Sequence, residues 1–247
     1  MVATIAVYSL KGGVGKTTLA VNLAWSSAVL SARRTLLWDL DAQAAASYLI
    51  RAQDKSADEA QAVFAKTLPP GRLIQPTATP NLSLLPADTS LRTLDHFFHG
   101  LGKKKRLAKL LETLGHGFDR IILDCAPGLT ETADQAMRAA TLILVPVIPS
   151  PLARRAFDEV VAHLAREHGR HAPILPVYTM VDRRRGLHLL ALAAEPEWPV
   201  IPMASAVETM TDRRQAVGEF APRSPAGEAF ASLWQGIERK LATMKAG

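Results

Sequence analysis

Cysteine is almost absent from these 247 residues, with Cys125 the single example. A lone thiol excludes an intrachain disulfide and any cage of cysteines around zinc or an iron–sulfur cluster within one chain. Long apolar runs are missing too, and no stretch approaches the roughly 20 apolar residues of a membrane span. The N-terminus lacks the basic start, extended apolar core and small-residue cleavage site of a secretion signal. It runs straight into an apolar strand pattern, Val2 to Tyr8, broken by Ser9 and Lys11. A soluble, cytoplasmic chain is expected. Acidic residues are outnumbered, 23 against 29 Lys+Arg, for a formal charge of +6 and a pI of about 9.7. That excess favours an anionic partner such as nucleic acid, nucleotide or an acidic membrane face without choosing between them, and a generally basic enzyme fits it equally.

What is present is ordinary globular composition, 48% apolar and 21% charged. The length suits one large domain over residues 1–247. Short Val- and Ile-rich runs at 2–9, 35–40, 82–85, 120–124, 141–147, 173–180 and 199–201 read as strands. Segments of helical periodicity at 16–31, 104–114, 130–140, 151–168, 186–194 and 225–243 alternate with them. The breaks at 69–71 and 76–80 read as loops within the domain, and there is neither an internal repeat nor a low-complexity tract. The expected fold is α/β: a doubly wound, mostly parallel sheet flanked by helices, with ligands at the carboxyl ends of the strands.

Ser9-Leu10-Lys11-Gly12-Gly13-Val14-Gly15-Lys16-Thr17-Thr18 follows the first predicted strand and opens the first helix. That context identifies a phosphate-binding loop. Its glycines turn backbone N–H groups inward as an anion nest, and the helix N-terminus adds partial positive charge. Lys16 supplies a cation for the β- and γ-phosphates, and the Thr17 hydroxyl is placed to ligate Mg²⁺. The general pattern wants glycine six residues before the lysine. Position 10 is leucine instead, and a second lysine, Lys11, precedes the paired glycines. Further along, Leu36-Leu37-Trp38-Asp39-Leu40-Asp41-Ala42-Gln43 puts two carboxylates on one side of a strand end. Ile121-Ile122-Leu123-Asp124 is an apolar strand closing on aspartate, the Walker B arrangement that holds Mg²⁺ directly or through water. An alternative for Asp39 and Asp41 is N-capping of the next helix. Cys125 reads as a small buried packing residue rather than a nucleophile.

Lys-Gly-Gly-Val-Gly-Lys-Thr-Thr resembles the deviant Walker A motif of the ParA/MinD superfamily of P-loop ATPases. The resemblance implies MgATP as cofactor, bound by Lys11, Gly12, Gly13, Val14, Gly15, Lys16, Thr17 and Thr18. It further implies that Lys11 reaches across a nucleotide-sandwich homodimer to the partner's phosphates, as an arginine finger acts in trans. The segment from Asp39 is similar to the family's Asp-x-Asp-Pro-Gln, which assigns Asp41 to the attacking water and Asp39 to support of the magnesium shell. Ala42 and Ala44 depart from that pattern where proline and glycine are common. Asp124-Cys125-Ala126-Pro127-Gly128 is similar to the family's γ-phosphate switch. Similar segments continue at Asn81–Ala87, Val145–Leu152, Thr179–Arg183, Ile201-Pro202 and Phe220–Phe230, so the resemblance spans residues 2–240. Thr179, Asp182 and Pro202 fall where the family borders the nucleotide base.

Within that superfamily the ParA-like branch fits best. Iron–sulfur cousins need more cysteine than one per chain. In the membrane-associated, MinD-like branch a C-terminal amphipathic helix is the anchor. Here Phe230, Leu233, Trp234, Ile237, Leu241 and Met244 share a helical face beside Arg239, Lys240 and Lys245, although packing on the sheet explains that face as well. The resemblance implies sequence-blind DNA binding by the ATP-bound dimer, hydrolysis stimulated by a ParB-like or other adaptor with a basic segment, and a nucleoid-associated location. Arg183, Arg184, Arg185, Arg213, Arg214 and Arg223 are candidate phosphate contacts. The run Lys103-Lys104-Lys105-Arg106 reads at least as readily as a solvated face. A small-molecule enzyme on the same loop is the remaining alternative.

Overall fold

The computed structural model describes residues 2–51, 60–101, 105–168 and 171–246. Eight strands form one sheet: β1 (Ala3–Val7), β2 (Thr35–Asp39), β3 (Gln75–Pro76), β4 (Leu82–Leu85), β5 (Arg120–Asp124), β6 (Leu142–Val147), β7 (Ile174–Val181) and β8 (Val200–Pro202), in the order β3-β4-β2-β5-β1-β6-β7-β8. All neighbours pair in parallel except β3 with β4. The helices are α1 (Lys16–Leu30), α2 (Ala45–Leu49), α3 (Ala60–Ala65), α4 (Leu94–Leu101), α5 (Arg106–Leu114), α6 (Glu131–Ala139), α7 (Pro151–His168), α8 (Gly186–Ala194), α9 (Ser205–Arg213), α10 (Val217–Phe220) and α11 (Pro225–Ala246).

The central strands are apolar throughout because helices cover both of their faces. Every residue of β1, β2, β5 and β6 is buried. Strand alternation divides their side chains between two cores. Ile5, Val7, Leu37, Ile122 and Leu144 meet Leu19 and Leu23 of α1 and Phe230, Trp234 and Ile237 of α11. Ala6, Leu36, Trp38, Ile121 and Ile143 meet Phe64, Leu107, Leu111, Met137 and Leu164 on the other side. β1 pairs with β5 on one edge and β6 on the other, so the order reverses at its carboxyl end. That crevice is where an open α/β sheet receives a ligand.

The seven predicted strands and six predicted helices all have counterparts. Gln75–Pro76 add an antiparallel edge strand of two residues, whose second residue was expected to open the 76–80 loop. Helices α2, α3, α4, α9 and α10 were not anticipated, being short or lacking strong periodicity. The C-terminal face is also resolved. Phe230, Leu233, Trp234, Ile237 and Leu241 are each at most 4% exposed, while Met244 at the end of the same face is 38% exposed, and the Trp234 indole N–H donates to Ser31 Oγ at 2.8 Å. Packing on the sheet and α1 takes up five of the six apolar residues of that face. Among the described residues no helix is long and apolar enough to cross a membrane.

Candidate nucleotide site

The loop from Ser9 to Gly15 leaves β1 and enters α1 at Lys16. Gly13 and Gly15 take φ of 71° and 89°, the left-handed region that a Cβ disfavours. Leu10 has no positive φ, so the missing glycine of the general pattern costs no backbone strain. Lys16 is buried, and its ammonium donates to the Lys11 carbonyl at 2.9 Å. Burial pulls its pKa below the ordinary lysine value, and Asp124 and Asp41 oppose that shift. The Lys11 side chain is partly exposed and makes no hydrogen bond or ion pair among the described residues.

Asp39 and Asp124 occupy the same register of the β2–β5 pair. Asp39 Oδ1 accepts the Asp41 N–H at 3.1 Å, and Oδ2 accepts the N–H and hydroxyl of Ser47 at 2.9 and 2.7 Å. Its oxygens organise the loop. Burial still raises its pKa to about 6 despite those donors. Asp124 is 1% exposed, and its oxygens are the buried side-chain atoms among the described residues without a hydrogen bond. Desolvation, then the charge of Asp39, pushes its pKa well above the carboxylate range, while the nearby Thr17 hydroxyl and Lys16 pull the other way. Such a carboxylate fits a cation, since one brought beside it would relieve an uncompensated buried charge. Among the described residues no group of three His, Cys, Asp or Glu side chains could hold a metal alone. Mg²⁺ would therefore draw its remaining oxygens from Thr17, water and phosphate, its habit at nucleotide sites.

Asp41 Oδ1 accepts the Gln43 N–H at 2.9 Å, while α2 is preceded by Ala44 with no side-chain cap. Asp39, through the Ser47 N–H, satisfies a first-turn donor of α2, so the capping alternative holds for Asp39, while Asp41 binds only the Gln43 N–H ahead of the helix. Ala44 has φ 54°, so the position where the resembling family favours glycine is left-handed here as well. Beyond the switch turn, Tyr8 donates its hydroxyl to the Gly128 carbonyl at 2.9 Å, and Gly128 has φ 92°. Burial raises the thiol pKa of Cys125, which fits a packing role.

Beside the loop lies a mainly apolar cleft of about 540 Å³, counting space open to solvent, lined by Gly15, Thr18, Thr179, Met180, Pro202 and Val207 among others. The Thr179 hydroxyl donates to the Val14 carbonyl at 2.8 Å, tying β7 to the loop. Thr179 and Pro202 are thus brought together with the phosphate loop. Asp182 is not among the lining residues; its carboxylate pairs with Arg184 at 2.9 Å, which holds its pKa down to about 2.

A family model described as an AAA domain matches residues 2–172. The chain belongs to that family. Its relatives place it on the ParA-like branch. It is 35% identical to the chromosome partitioning protein ParA of Myxococcus xanthus over 145 residues, 58% of this chain and 51% of that protein. It is 26% identical to the sporulation initiation inhibitor protein Soj of Bacillus subtilis over 244 residues, 93% of this chain and 95% of that one. The match to the Myxococcus protein thus spans about half of that protein's length. In fold, the ParA-like chain superposes on the structure of apo McdA from Cyanthece with a TM-score of 0.83 at 21% identity, covering 98% and 100% of the two chains.

The candidate DNA contacts of this ParA-like chain fare unevenly. Arg183, Arg185 and Arg223 are exposed. Arg184 is held by Asp182. Arg213 stacks on Phe220, 4.9 Å from ring centre, while Arg214 covers Tyr48 at 4.3 Å and donates to its carbonyl at 2.7 Å. In the lysine run, Lys103 and Lys104 lie outside the described residues. Arg106 is buried, donating to the Phe64 carbonyl at 2.6 Å, so it is neither a solvated face nor a phosphate contact. Ser47 and Tyr8 carried no sequence signal, because their partners lie eight residues away across a loop and 120 residues away across the sheet.

Proposed function

We propose that this chain is a Mg²⁺-dependent ATPase, folded as one domain over residues 1–247, that dimerises with ATP, holds DNA without sequence preference and positions a cargo in the cytoplasm. The observation that carries the reading is the buried, unpartnered Asp124 carboxylate beside Lys16 and Thr17 at the mouth of the phosphate loop.

In this mechanism Gly12 to Thr18 wrap the phosphates with backbone N–H groups, and Lys16 leaves the Lys11 carbonyl to meet the β- and γ-phosphates. Thr17 and Asp124 would hold Mg²⁺, which when bound would supply charge neutralisation at the phosphates. Asp41 orients the attacking water, and its backbone is fixed by Asp39 and Ser47. Pro127-Gly128 senses the γ-phosphate, with Tyr8 pinning the turn. Thr179, Pro202 and the cleft between them receive the base. Lys11 from a second subunit completes the charge, so turnover is coupled to dimerisation. Exposed Arg183, Arg185 and Arg223, with Arg213 and Arg214 alongside, give salt-sensitive affinity for phosphate backbones, doubled in the dimer. A ParB-like or other adaptor with a basic segment accelerates hydrolysis. Soj and ParA, named above for sporulation control and chromosome partitioning, support the positioning role, and solved relatives complexed with ATP or Mg-ADP support the cofactors.

Light scattering of Asp41→Ala protein with MgATP, with and without nonspecific duplex DNA, tests this reading. A nucleotide-dependent dimer that gains mass on DNA is expected. Persistent monomers that ignore DNA would remove it.

A further inference from the structure

α8 is an apolar helix with little covering it. From Gly186 to Ala194 it carries no Asp, Glu, Lys or Arg, and Leu187, Leu189 and Leu190 are 66%, 46% and 69% exposed. His188 alone is buried, its Nδ1 accepting the Asp182 N–H at 3.0 Å. A run of bare leucines on one short helix is the signature of an interface rather than of a solvated surface.

The charges at its ends indicate the occupant. Arg183 precedes the helix and Glu197 follows it, both exposed and without an ion pair or hydrogen bond among the described residues. Arg184 is engaged by Asp182 and Glu195 by Arg154, while Arg185 at the helix start is exposed and unpaired among the described residues, adding to the cation at that end. Arg183 lies three residues before the helix and Glu197 three residues after it, so α8 has an exposed cation on one side and an exposed anion on the other. An antiparallel copy of the same helix, with a twofold axis at Leu190, brings the Arg183 end of one helix to the Glu197 end of the other and runs the two helix dipoles in opposite directions. The same symmetry sets Leu187 against the second copy's Ala193, a large side chain opposite a small one.

We infer that α8 is a self-complementary surface through which two copies of this chain associate antiparallel without nucleotide. This interface goes beyond the nucleotide-coupled dimer and does not depend on it. A helix about 13 Å long offers less area than a permanent dimer buries, so the association is weak and concentration-dependent. Because it engages Arg183, it also withdraws that cation from DNA in the nucleotide-free state.

Sedimentation equilibrium of the full chain without nucleotide, over a concentration series, decides the matter. The wild type should show a monomer–dimer equilibrium that Lys11→Ala leaves unchanged. Leu187→Glu with Leu190→Glu should weaken it about ten-fold or more. Arg183→Glu alone should weaken it about two- to five-fold, and adding Glu197→Arg should restore it. The last pair changes only exposed side chains and leaves the core intact. A monomeric wild type at every concentration overturns the inference. A dimer indifferent to the leucine and charge variants does the same, as does a monomer that pellets with anionic phospholipid vesicles through Leu187 and Leu190.

Discussion

Asp39 and Asp124 stand at the same register of adjacent parallel strands, yet one is held by three donors and the other by none. That asymmetry divides their work. A satisfied carboxylate shapes a loop, whereas an unsatisfied one in the same buried place has affinity left for a cation.

The pair makes the nucleotide-free fold sensitive to pH in a direction opposite to that of a surface carboxylate. The folded pKa of Asp39 is about 6, against 3.8 unfolded. Between those values the folded state keeps a proton that the unfolded state has lost, so stability falls as pH rises through this window. Asp124 is raised as well and extends the loss upward. Thermal melts without Mg²⁺ should therefore show a higher Tm at pH 5 than at pH 7.5. Asp124→Asn should flatten the slope; an unchanged slope would mean that these carboxylates do not set it.

Ser47→Ala removes a donor to Asp39 and the acceptor of the Ala87 N–H, which Ser47 Oγ binds at 3.0 Å. Leaving such groups unpaired costs about 1–3 kcal/mol, or a few degrees in Tm for a chain of this size. In steady-state kinetics kcat should drop with KM for ATP little changed, and Ser47→Thr should recover most of the rate. A rise in KM alone would place Ser47 in nucleotide binding instead.

Ala44→Gly should stabilise the protein. The residue has φ 54°, which costs an L side chain about 1–2 kcal/mol, against the roughly 0.5–1 kcal/mol of extra chain entropy that glycine brings. Chemical denaturation should show a gain of up to about 1 kcal/mol. The reverse experiment, Gly15→Ala at φ 89°, should destabilise, although its Cβ meets Thr179 only at an ordinary 3.9 Å.

Lys11→Ala should abolish nucleotide-dependent dimerisation while sparing binding of a fluorescent ATP analogue, because Lys16 and the backbone nest remain. Lys16→Ala should lose both. Equal dimerisation of wild type and Lys11→Ala would leave Lys11 without a role between subunits.

The residues of the phosphate loop and of Asp39, Asp41 and Asp124 were legible in the sequence because glycine, lysine and aspartate at a strand end have few other physical reasons to recur at that spacing. Alternating strands and helices likewise disclosed the doubly wound sheet, since burial on both faces demands continuous apolar runs. Tertiary structure alone decided which members of each set were free. Arg106, Arg184 and Arg214 look like Arg183 in the sequence, yet burial, an ion pair and an aromatic ring engage them. Both α8 and α11 carry apolar residues in the sequence, but the leucines of α8 at 187, 189 and 190 stay exposed while the apolar face of α11 is covered by the sheet and α1. Local pattern fixes what a residue can do, while the partners that satisfy or abandon it come from parts of the chain scores of residues away.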